Sequence, residues 1–461
     1  MTQFEKMTET PIPRLIIGLS IPTVISMLVT NIYNLVDTAF VGKLGTSASG
    51  AVGVVFGFMA ILQAIGFMFG QGSGSIISRA LGQCDQKNAS IHTSIGFFSS
   101  FVFGLLVTAA GFIFLDDIIM ILGSTETIAP YAKTYITYIL ISAPFMTSSL
   151  TMNNILRYEG KASLGMIGLM SGAVINIVGD AIFMFGFNMG IGGAGLSTAI
   201  SQIISWLILL SMFIKRKTET KLSFKLIKDG SLYCLFNIMA TGLPSLLRQG
   251  LNSFTTVLLN AQCAEYGDAA VSAMSIVTRI IFFAFSIALG IGQGFQPVSG
   301  FNYGAKKYER LKKALWFVIF AAEAIIMFGC LILVIFSSEL IGIFRNDPNV
   351  IEIGSKALKL QAIAQITLPP CMAVEMLYQS TGKKLGASIL SSMRNGVIFI
   401  PALLLMSHFR GLEGIQEAQP LSLILAFPVA VPFYLSFFKK INAQTGSKNK
   451  STDKKNLSLS S

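Results

Sequence analysis

The sequence predicts an all-α integral membrane protein of twelve transmembrane helices, arranged as two pseudo-symmetric six-helix bundles around a central cavity. Three observations predict this fold class. The 461 residues are 53% hydrophobic and only 12% charged, whereas a soluble domain carries about 25% charged residues. Apolar runs of about 20 residues, long enough to cross a bilayer as a helix, recur along the chain. The first half of the sequence also returns in the second half at a fixed offset of 222 residues.

Each apolar run gives one predicted span, and an even number of spans places both termini on the same side of the membrane. The predicted spans are 14–41, 50–79, 91–115, 132–156, 163–187, 191–214, 233–264, 270–300, 312–337, 356–380, 386–408 and 418–438.

The positions of the basic residues predict the orientation. If the N-terminus is inside the cell, the inside segments hold 25 Lys and Arg, the outside loops hold six, and Arg248, Arg279 and Arg394 lie within spans. Such an excess on one side is the positive-inside pattern of membrane proteins. The net charge of +12 therefore indicates topology rather than a surface for nucleic acid, and both termini are expected in the cytoplasm.

The internal repeat predicts two lobes with the same orientation in the membrane. At the offset of 222 residues, Pro22 meets Pro244, Gly45 meets Gly267, and the motif Gly-Gln-Gly occurs at 70–72 and again at 292–294. Chance Gly and Pro matches are the alternative, but one offset held by several landmarks argues against them. Parallel repeats of this kind surround a central cavity and are typical of alternating access. The predicted parts are an N-terminal lobe at 1–214, a cytoplasmic linker at 215–232, a C-terminal lobe at 233–438 and a disordered basic tail at 439–461.

Few residues in the chain suit metal or nucleophilic chemistry. The five cysteines show no CxxC spacing, and the two histidines, His92 and His408, lie near predicted helix ends. This pattern disfavours a disulfide framework, a zinc site and a metal-dependent membrane enzyme. We expect no enzyme activity and no resident cofactor or metal.

Two aspartates inside predicted spans are the main functional candidates. Asp37 has Tyr33 one turn before it and Asn34 nearby, and Asp180 shares a helix face with Asn176 at i−4. By helical rise, both aspartates lie beyond the bilayer midpoint, toward the outside, so they can meet at one depth. Two adjacent carboxylates do not easily both ionise in a low-dielectric site, which suits a proton carrier. The same oxygens, with Asn176 and a hydroxyl, could instead hold Na⁺, or the acids could only fix helix packing.

The second lobe cannot repeat this chemistry. Leu259, Ile398 and Ala402 stand where the first lobe has Asp37, Asn176 and Asp180. Its own charged residues within spans, together with two asparagines of span 4, are candidates for the cavity or for gating: Asn153, Asn154, Arg248, Arg279, Glu323, Glu375 and Arg394. For the three arginines and two glutamates we favour a structural or gating role over substrate contact, with Glu375 the best of them for contact with a cation. Hydrogen bonding between helices explains the asparagines equally well.

The sequence resembles the multidrug and toxic compound extrusion (MATE) transporters over nearly its full length. The matching pieces are S-I-P-T at 20–23, Y-N-L-V-D-T-A-F-V-G-K-L-G at 33–45, R-A-L-G at 79–82, N-I-V-G-D at 176–180 and G-G-A-G-L-S-T-A-I-S at 192–201. One departure is Gly179, where related sequences often carry Leu; we expect it to affect packing more than chemistry. The absence of obvious ion-binding acids in the C-terminal lobe makes the chain similar to the DinF-like and MepA-like members.

The resemblance implies a V-shaped pair of bundles, the MATE/MOP-type fold, and cation-coupled export of organic, often cationic, compounds. It implies a coupling-ion site formed by Asp37, Asn176, Asp180 and Thr198, with Tyr33 beside it and Pro22 at a bend of span 1. It also implies a bacterial or archaeal cell membrane as the location. We expect a monomer whose partners are small cationic compounds and the bilayer, with no nucleic acid.

These observations together predict a secondary antiporter that exports organic compounds in exchange for H⁺ or Na⁺ by alternating access. The alternative is a flippase for a lipid-linked precursor, whose polyprenyl phosphate would need several cavity-facing cations. Arg248, Arg279 and Arg394 keep this alternative open.

Overall fold

The computed structural model describes residues 2–459, with side chains described at all of these except 46 and 443–459. Within that range the chain is helical and contains no strand. The helices of the first half are α1 Gln3–Glu9, α2 Ile12–Gly42, α3 Thr46–Gly82, α4 Gln86–Ile113, α5 Leu115–Ile121, α6 Ala129–Tyr158, α7 Ala162–Asp180 with a π-helical turn at Ala181–Gly186, and α8 Gly190–Ile214.

The short helix α9, Lys225–Asp229, lies in the segment that joins the halves. The helices of the second half are α10 Leu232–Ala264, α11 Asp268–Gly304, α12 Tyr308–Ile335, α13 Ser337–Phe344, α14 Pro348–Ala364, α15 Leu368–Ser380, α16 Lys384–Ser392 with a π-helical turn at Met393–Val397, and α17 Phe399–Leu459. Since the backbone is helical to Leu459 while side chains are described only to Asn442, the disordered tail at 439–461 stays a prediction.

The described part of the chain contains twelve long helical crossings. Nine helical segments are long and apolar enough to span a membrane. Two more long helices, α6 and α10, are rich in Ser, Thr and Asn and fall outside that group. The last segment, Lys384–Asn442, is two crossings that meet at Gly411, whose φ of 60° and ψ of −136° break the helix.

The repeat is visible in the backbone itself. Gly45 has a φ of 116° before α3, and Gly267 has a φ of 90° before α11. Gly160 and Gly382 likewise have φ values of 80° and 78° after α6 and α15. Positive φ is a conformation that glycine adopts at little cost. The matched glycines therefore mark equivalent turns of two lobes, α2–α8 and α10–α17.

The two lobes share a hydrophobic core at one end of the molecule only. We call this end the linker side, because the segment 215–231 lies there, and the opposite end the far side. The linker-side core mixes residues of both lobes, such as Ile77 and Phe295. On the far side each lobe has a separate core, one around Val41 and Tyr135 and the other around Leu259. This arrangement is a V whose arms open toward the far side.

Glycines let the lobes approach closely on the linker side. A Cβ at Gly72 of α3 would lie 2.2 Å from the carbonyl oxygen of Ile238, and one at Gly242 of α10 would lie 1.9 Å from that of Met68. At the ends of α3 and α11, a Cβ at Gly82 would meet Phe301. Backbones in such contact leave no room for any side chain, so the linker-side end is closed.

Candidate functional site

Asp37 and Asp180 lie together in the far-side half of the first lobe. Asp37 is on the penultimate turn of α2, and Asp180 is the last residue of α7 before the π-helical turn. The carboxyl group of Asp37 lies close to that of Asp180 and to Tyr135 of α6. Two carboxyl groups this close do not easily both carry a negative charge in a buried site. Asp180 is fully buried, whereas Asp37 is partly exposed.

Asn176 and Thr198 complete the polar cluster, which we call the acid site: Asp37, Tyr135, Asn176, Asp180, Ser197 and Thr198. The Asn176 Nδ2 lies 3.2 Å from Thr198 Oγ1 and 3.5 Å from both Ser197 Oγ and Asp180 Oδ1. Ser197 Oγ in turn donates to the backbone oxygen of Asn176 at 2.9 Å. These bonds fasten α7 to α8 at the depth of the acids.

Gly179, the departure noted in the sequence, makes this fastening possible. A Cβ at position 179 would lie 2.5 Å from Ser197 Oγ. Any larger residue would push α8 away from α7 and weaken the bond between Ser197 and Asn176. The glycine thus affects packing immediately beside the acid site.

Three buried oxygens of the acid site have no hydrogen-bond donor. They are Asp37 Oδ1, Asn176 Oδ1 and Asp180 Oδ2. Buried polar atoms without a partner are rare and need an explanation such as a missing proton, ion or water. Carboxylate and amide oxygens suit hard cations. The donor set therefore fits H⁺ or Na⁺.

Sequence reasoning missed Tyr135 and Ser197. Tyrosines near span ends usually anchor a helix at the membrane interface, and Tyr131, Tyr135 and Tyr138 match that pattern. Ser197 belongs to a motif in which only Thr198 was singled out. Neither residue carries a signal that distinguishes it without the fold.

The other residues predicted around the acids lie at different distances from them. Tyr33 is close enough to Asp37 and Asp180 to interact electrostatically with both. Asn34 is half-buried, and its backbone oxygen accepts from Thr38 at 2.8 Å. Pro22 is about 22 Å further along α2 by helical rise, and α2 continues through it without interruption. Pro22 therefore does not touch the acid site.

Arg248 and Glu375 form a buried ion pair in the linker-side half. Arg248 Nη1 lies 2.8 Å from Glu375 Oε1, and each side chain is only 7% exposed. Arg248 Nη2 also lies 3.4 Å from Gln71 Oε1, which belongs to the first lobe. Because Arg248 already neutralises Glu375, the expectation that Glu375 contacts a cation finds no support here.

Hydrogen bonds extend from this pair across the seam between the lobes. Ser245 Oγ donates to Gln71 Oε1 at 2.7 Å, and Gln379 Nε2 donates to Ser245 Oγ at 2.6 Å. Gln296 Nε2 donates to Gln379 Oε1 at 3.1 Å, and Arg157 donates to Gln293. We call these residues the interlobe network: Gln71, Asn154, Arg157, Ser245, Arg248, Gln293, Gln296, Glu375 and Gln379.

The interlobe network follows the repeat. At the offset of 222 residues, Gln71 corresponds to Gln293 and Arg157 to Gln379. The contact of Arg157 with Gln293 thus has a counterpart in the bonds that join Gln379, through Ser245, to Gln71. The first lobe supplies Gln71 and Arg157, and the second supplies Gln293 and Gln379, to a pseudo-symmetric closure.

The remaining candidates have varied surroundings. Asn154 is fully buried and accepts from Arg157 Nη2 at 2.6 Å, so it belongs to the network rather than to an open cavity. Asn153 is half-buried and packs on Gly165. Arg394 stacks on Phe285 at 5.1 Å. Arg279 is exposed and Glu323 half-buried, and within the described range neither forms an ion pair.

The chain matches the MatE family twice, at residues 22–182 and 244–404. The two matches are related by the same 222-residue offset that relates the lobes. The multidrug export protein MepA of Staphylococcus aureus (strain MSSA476) is 29% identical over 413 residues, which cover 89% of this chain and 90% of that protein. MepA of Staphylococcus saprophyticus is 28% identical over 399 residues, covering 86% and 87%.

Solved structures of MATE transporters share the whole fold. A MATE crystal structure in complex with MaL6 superposes with a TM-score of 0.89 at 25% identity, covering 97% of this chain and 100% of that one. An outward-facing MATE transporter of the MOP superfamily gives 0.89 at 25% identity, covering 96% and 98%. These relatives are transporters rather than enzymes. With two matches to the family and the fold in common, the chain belongs to the MatE family of multi-pass membrane transporters.

Proposed function

We propose that this protein exports small organic compounds by antiport, and that H⁺ or Na⁺ binding at the acid site supplies the driving force. The observation that supports this proposal most directly is that three buried oxygens, one each on Asp37, Asn176 and Asp180, have no hydrogen-bond donor. The names of the related multidrug export proteins support export as the direction of transport. The equivalent positions of the second lobe carry Leu259, Ile398 and Ala402 in place of Asp37, Asn176 and Asp180, so we propose that one lobe loads the ion.

Ion binding acts through the helices that meet at the acid site. Asp37 is on α2, Tyr135 on α6, Asp180 on α7 and Thr198 on α8, so a cation that joins their oxygens draws four helices together. A ligand shifts a conformational equilibrium only as far as it binds one state better than the other. Loading from the far side thus favours a packing of the first lobe in which the far side closes and the linker side opens.

The interlobe network serves as the gate on the linker side. Its residues come from both lobes and are buried where the V is closed. Parting the lobes leaves the pair of Arg248 and Glu375 intact within the second lobe but breaks the bonds to Gln71. For these two residues we therefore propose gating rather than substrate contact.

The positive-inside pattern supports a cytoplasmic linker side. The conformation in hand is then open to the outside, with both termini in the cytoplasm of a bacterial or archaeal cell. We propose cationic compounds as substrates, because the acids of the open half of the V favour positive charge. We propose that a monomer suffices, because one chain contains both the acid site and the gate.

The flippase alternative is less favoured. A polyprenyl phosphate would need several cavity-facing cations. Arg248 is buried and paired with Glu375, and Arg394 is stacked on Phe285. Arg279 alone of the three is exposed.

Transport by the purified protein in proteoliposomes tests the proposal. Uptake of a fluorescent organic cation is followed while a pH gradient and a Na⁺ gradient are imposed separately. We expect one of the two gradients to drive uptake, and Asp180→Asn to remove that dependence. Uptake that ignores both gradients contradicts the antiport.

A further inference from the structure

The short helix α1 lies across the seam between the lobes on the linker side. Its N-terminus is held by a capping box, in which Thr2 Oγ1 accepts from Glu5 N at 3.2 Å and Thr2 N donates to Glu5 Oε2 at 2.9 Å. An isolated helix of seven residues is not stable in water. Its order must therefore come from its contacts with the two lobes.

One set of contacts seats α1 on the first lobe. Gln3 Nε2 donates to the backbone oxygen of Glu159 at 2.7 Å, and Met7 is fully buried. The lack of a side chain at Gly160 leaves room for α1, because a Cβ there would lie 2.4 Å from Gln3 Nε2 and 2.8 Å from Met7 Sδ. In the second lobe, the guanidinium of Arg79 occupies the corresponding space beside Gly382. The space that α1 fills beside Gly160 is therefore already occupied at the equivalent position of the second lobe.

A second set of contacts ties α1 to the second lobe. Asn302 Nδ2 donates to the backbone oxygen of Met7 at 3.2 Å, and Lys307 Nζ donates to that of Thr8 at 3.3 Å. Arg310 donates to the backbone oxygen of Thr10. Lys307 also lies 3.9 Å from Glu9 Oε1. The acceptors are mostly backbone oxygens, so the contacts depend on where α1 lies rather than on its side chains.

The interlobe linker does not form a comparable tie. Glu159 accepts from the backbone nitrogens of Glu219 and Thr220 at 2.9 and 3.0 Å. Lys161 pairs with Glu219 at 2.7 Å, and Ser94 accepts from the backbone nitrogen of Ser223 at 3.1 Å. These bonds fasten the linker to the first lobe. In the described range no hydrogen bond joins residues 215–230 to the second lobe.

We infer that α1 is a strap that holds the linker side shut and must leave the second lobe before that side opens. Residues 10–11 connect α1 directly to α2, so it moves with the first lobe, and the bonds from Asn302, Lys307 and Arg310 span the seam. The strap precedes residue 22, where the family match begins. The inference rests on the proposed alternating access, because a strap matters only if the lobes part.

The distance between the lobes on the linker side tests the strap. Spin labels are placed at Lys87→Cys in the first lobe and Lys313→Cys in the second, both exposed positions, in a Cys84→Ser background. Deletion of residues 2–10 should raise the population with the wider distance at least fivefold in lipid without substrate. Lys6→Ala, on the same helix but without a bond across the seam, is the matched control and should leave the distances unchanged.

A point variant separates loss of the strap from any effect of the deletion on membrane insertion of the protein. Lys307→Ala, which keeps α1, should raise the wide population in the same direction but less. Unchanged distances in both the deletion and Lys307→Ala would overturn the inference.

A reversible cross-link tests the strap from the opposite direction. A disulfide-containing bifunctional thiol reagent that joins Glu9→Cys to Lys307→Cys, whose native side chains lie 3.9 Å apart, should lower export at least tenfold relative to the same double variant without reagent, with recovery on reduction. Export that persists in the cross-linked protein would overturn the inference.

The spin-label measurement uses neither substrate nor ion gradient, so it separates the two proposals. Strap-dependent distances together with transport that ignores pH and Na⁺ would reject the coupling and keep the strap. Transport that follows a pH or Na⁺ gradient, together with interlobe distances that do not change when α1 is deleted, would reject the strap and keep the coupling.

Discussion

The carboxyl group of Asp37 in α2 lies beside that of Asp180 at the end of α7, although the two residues lie on different helices and far apart in the chain. Two ionised carboxylates at this separation repel each other unless a proton or a cation lies between them. The packing of α2 against α7 therefore depends on what occupies the acid site. The predictions below start from this dependence.

Neutralising either acid should uncouple transport. We expect Asp37→Asn and Asp180→Asn each to lower gradient-driven export at least tenfold, because an amide cannot exchange a proton and binds Na⁺ more weakly. Export is measured in proteoliposomes, and expression in the membrane is checked alongside. Glu339→Gln, which changes an exposed acid of the second lobe, is the control and should transport normally. Normal drug export in both aspartate variants would remove the acid site from the mechanism.

Removing one partner of the buried ion pair should destabilise the protein more than replacing both partners with apolar residues. Arg248→Ala leaves Glu375 buried and uncompensated, which typically destabilises a protein by about 3–5 kcal/mol. The double variant Arg248→Met and Glu375→Leu should recover most of that loss, since apolar replacements of buried pairs are often neutral. Thermal unfolding in detergent compares the three proteins. Equal melting temperatures for the single and double variants would mean that the pair is not truly desolvated.

Adding one methyl group at the seam should separate the lobes. Gly72→Ala places a Cβ 2.2 Å from the carbonyl oxygen of Ile238, and overpacking of this kind costs about 1–3 kcal/mol. Gly53→Ala on the same helix is the matched control, because nothing lies within 4 Å of its Cβ. The free energy of unfolding of the control should be unchanged or higher by up to about 1 kcal/mol. Melting temperatures that fall equally in both variants would contradict the close contact at Gly72.

The anchor of the interlobe linker should make stability depend on pH. Burial raises the pKa of Glu159 from 4.5 to about 7, against the lowering effect of its hydrogen bonds to the linker and of Lys161. Because the folded state holds this proton more tightly, the contribution of Glu159 to stability is full below pH 4.5 and is lost as pH rises through 7. One pKa unit corresponds to about 1.4 kcal/mol, so the decline is about 3 kcal/mol.

Thermal unfolding between pH 5 and pH 8 measures that decline. Glu159→Gln should flatten the curve over this interval, whereas Glu126→Gln, at an exposed position, should leave it as in the parent protein. A parent protein whose stability rises over the same interval would show that hydrogen bonding outweighs burial at Glu159.

The sequence alone predicts the fold class and the lobes, because hydropathy, basic residues and a fixed repeat are each spread over many positions. It also predicts that Asp37 and Asp180 can meet at one depth, since an acid within an apolar run stands out, and the structure places them close together. It misses Tyr135, whose type is common at span ends. It also leaves the partners of Arg248 open, because those partners depend on how α10, α15 and α3 meet across the seam. Contacts between the lobes depend on how distant segments pack, and local sequence patterns do not predict that packing.

The attachment of residues 215–230 to the first lobe leaves a single covalent crossing between the bodies, immediately before α10. The polypeptide resembles two separate subunits that happen to share one peptide connection. A gene divided at that connection, between codons 230 and 231, would then yield fragments that keep all their own internal contacts, and co-expression should reassemble a working transporter from two pieces.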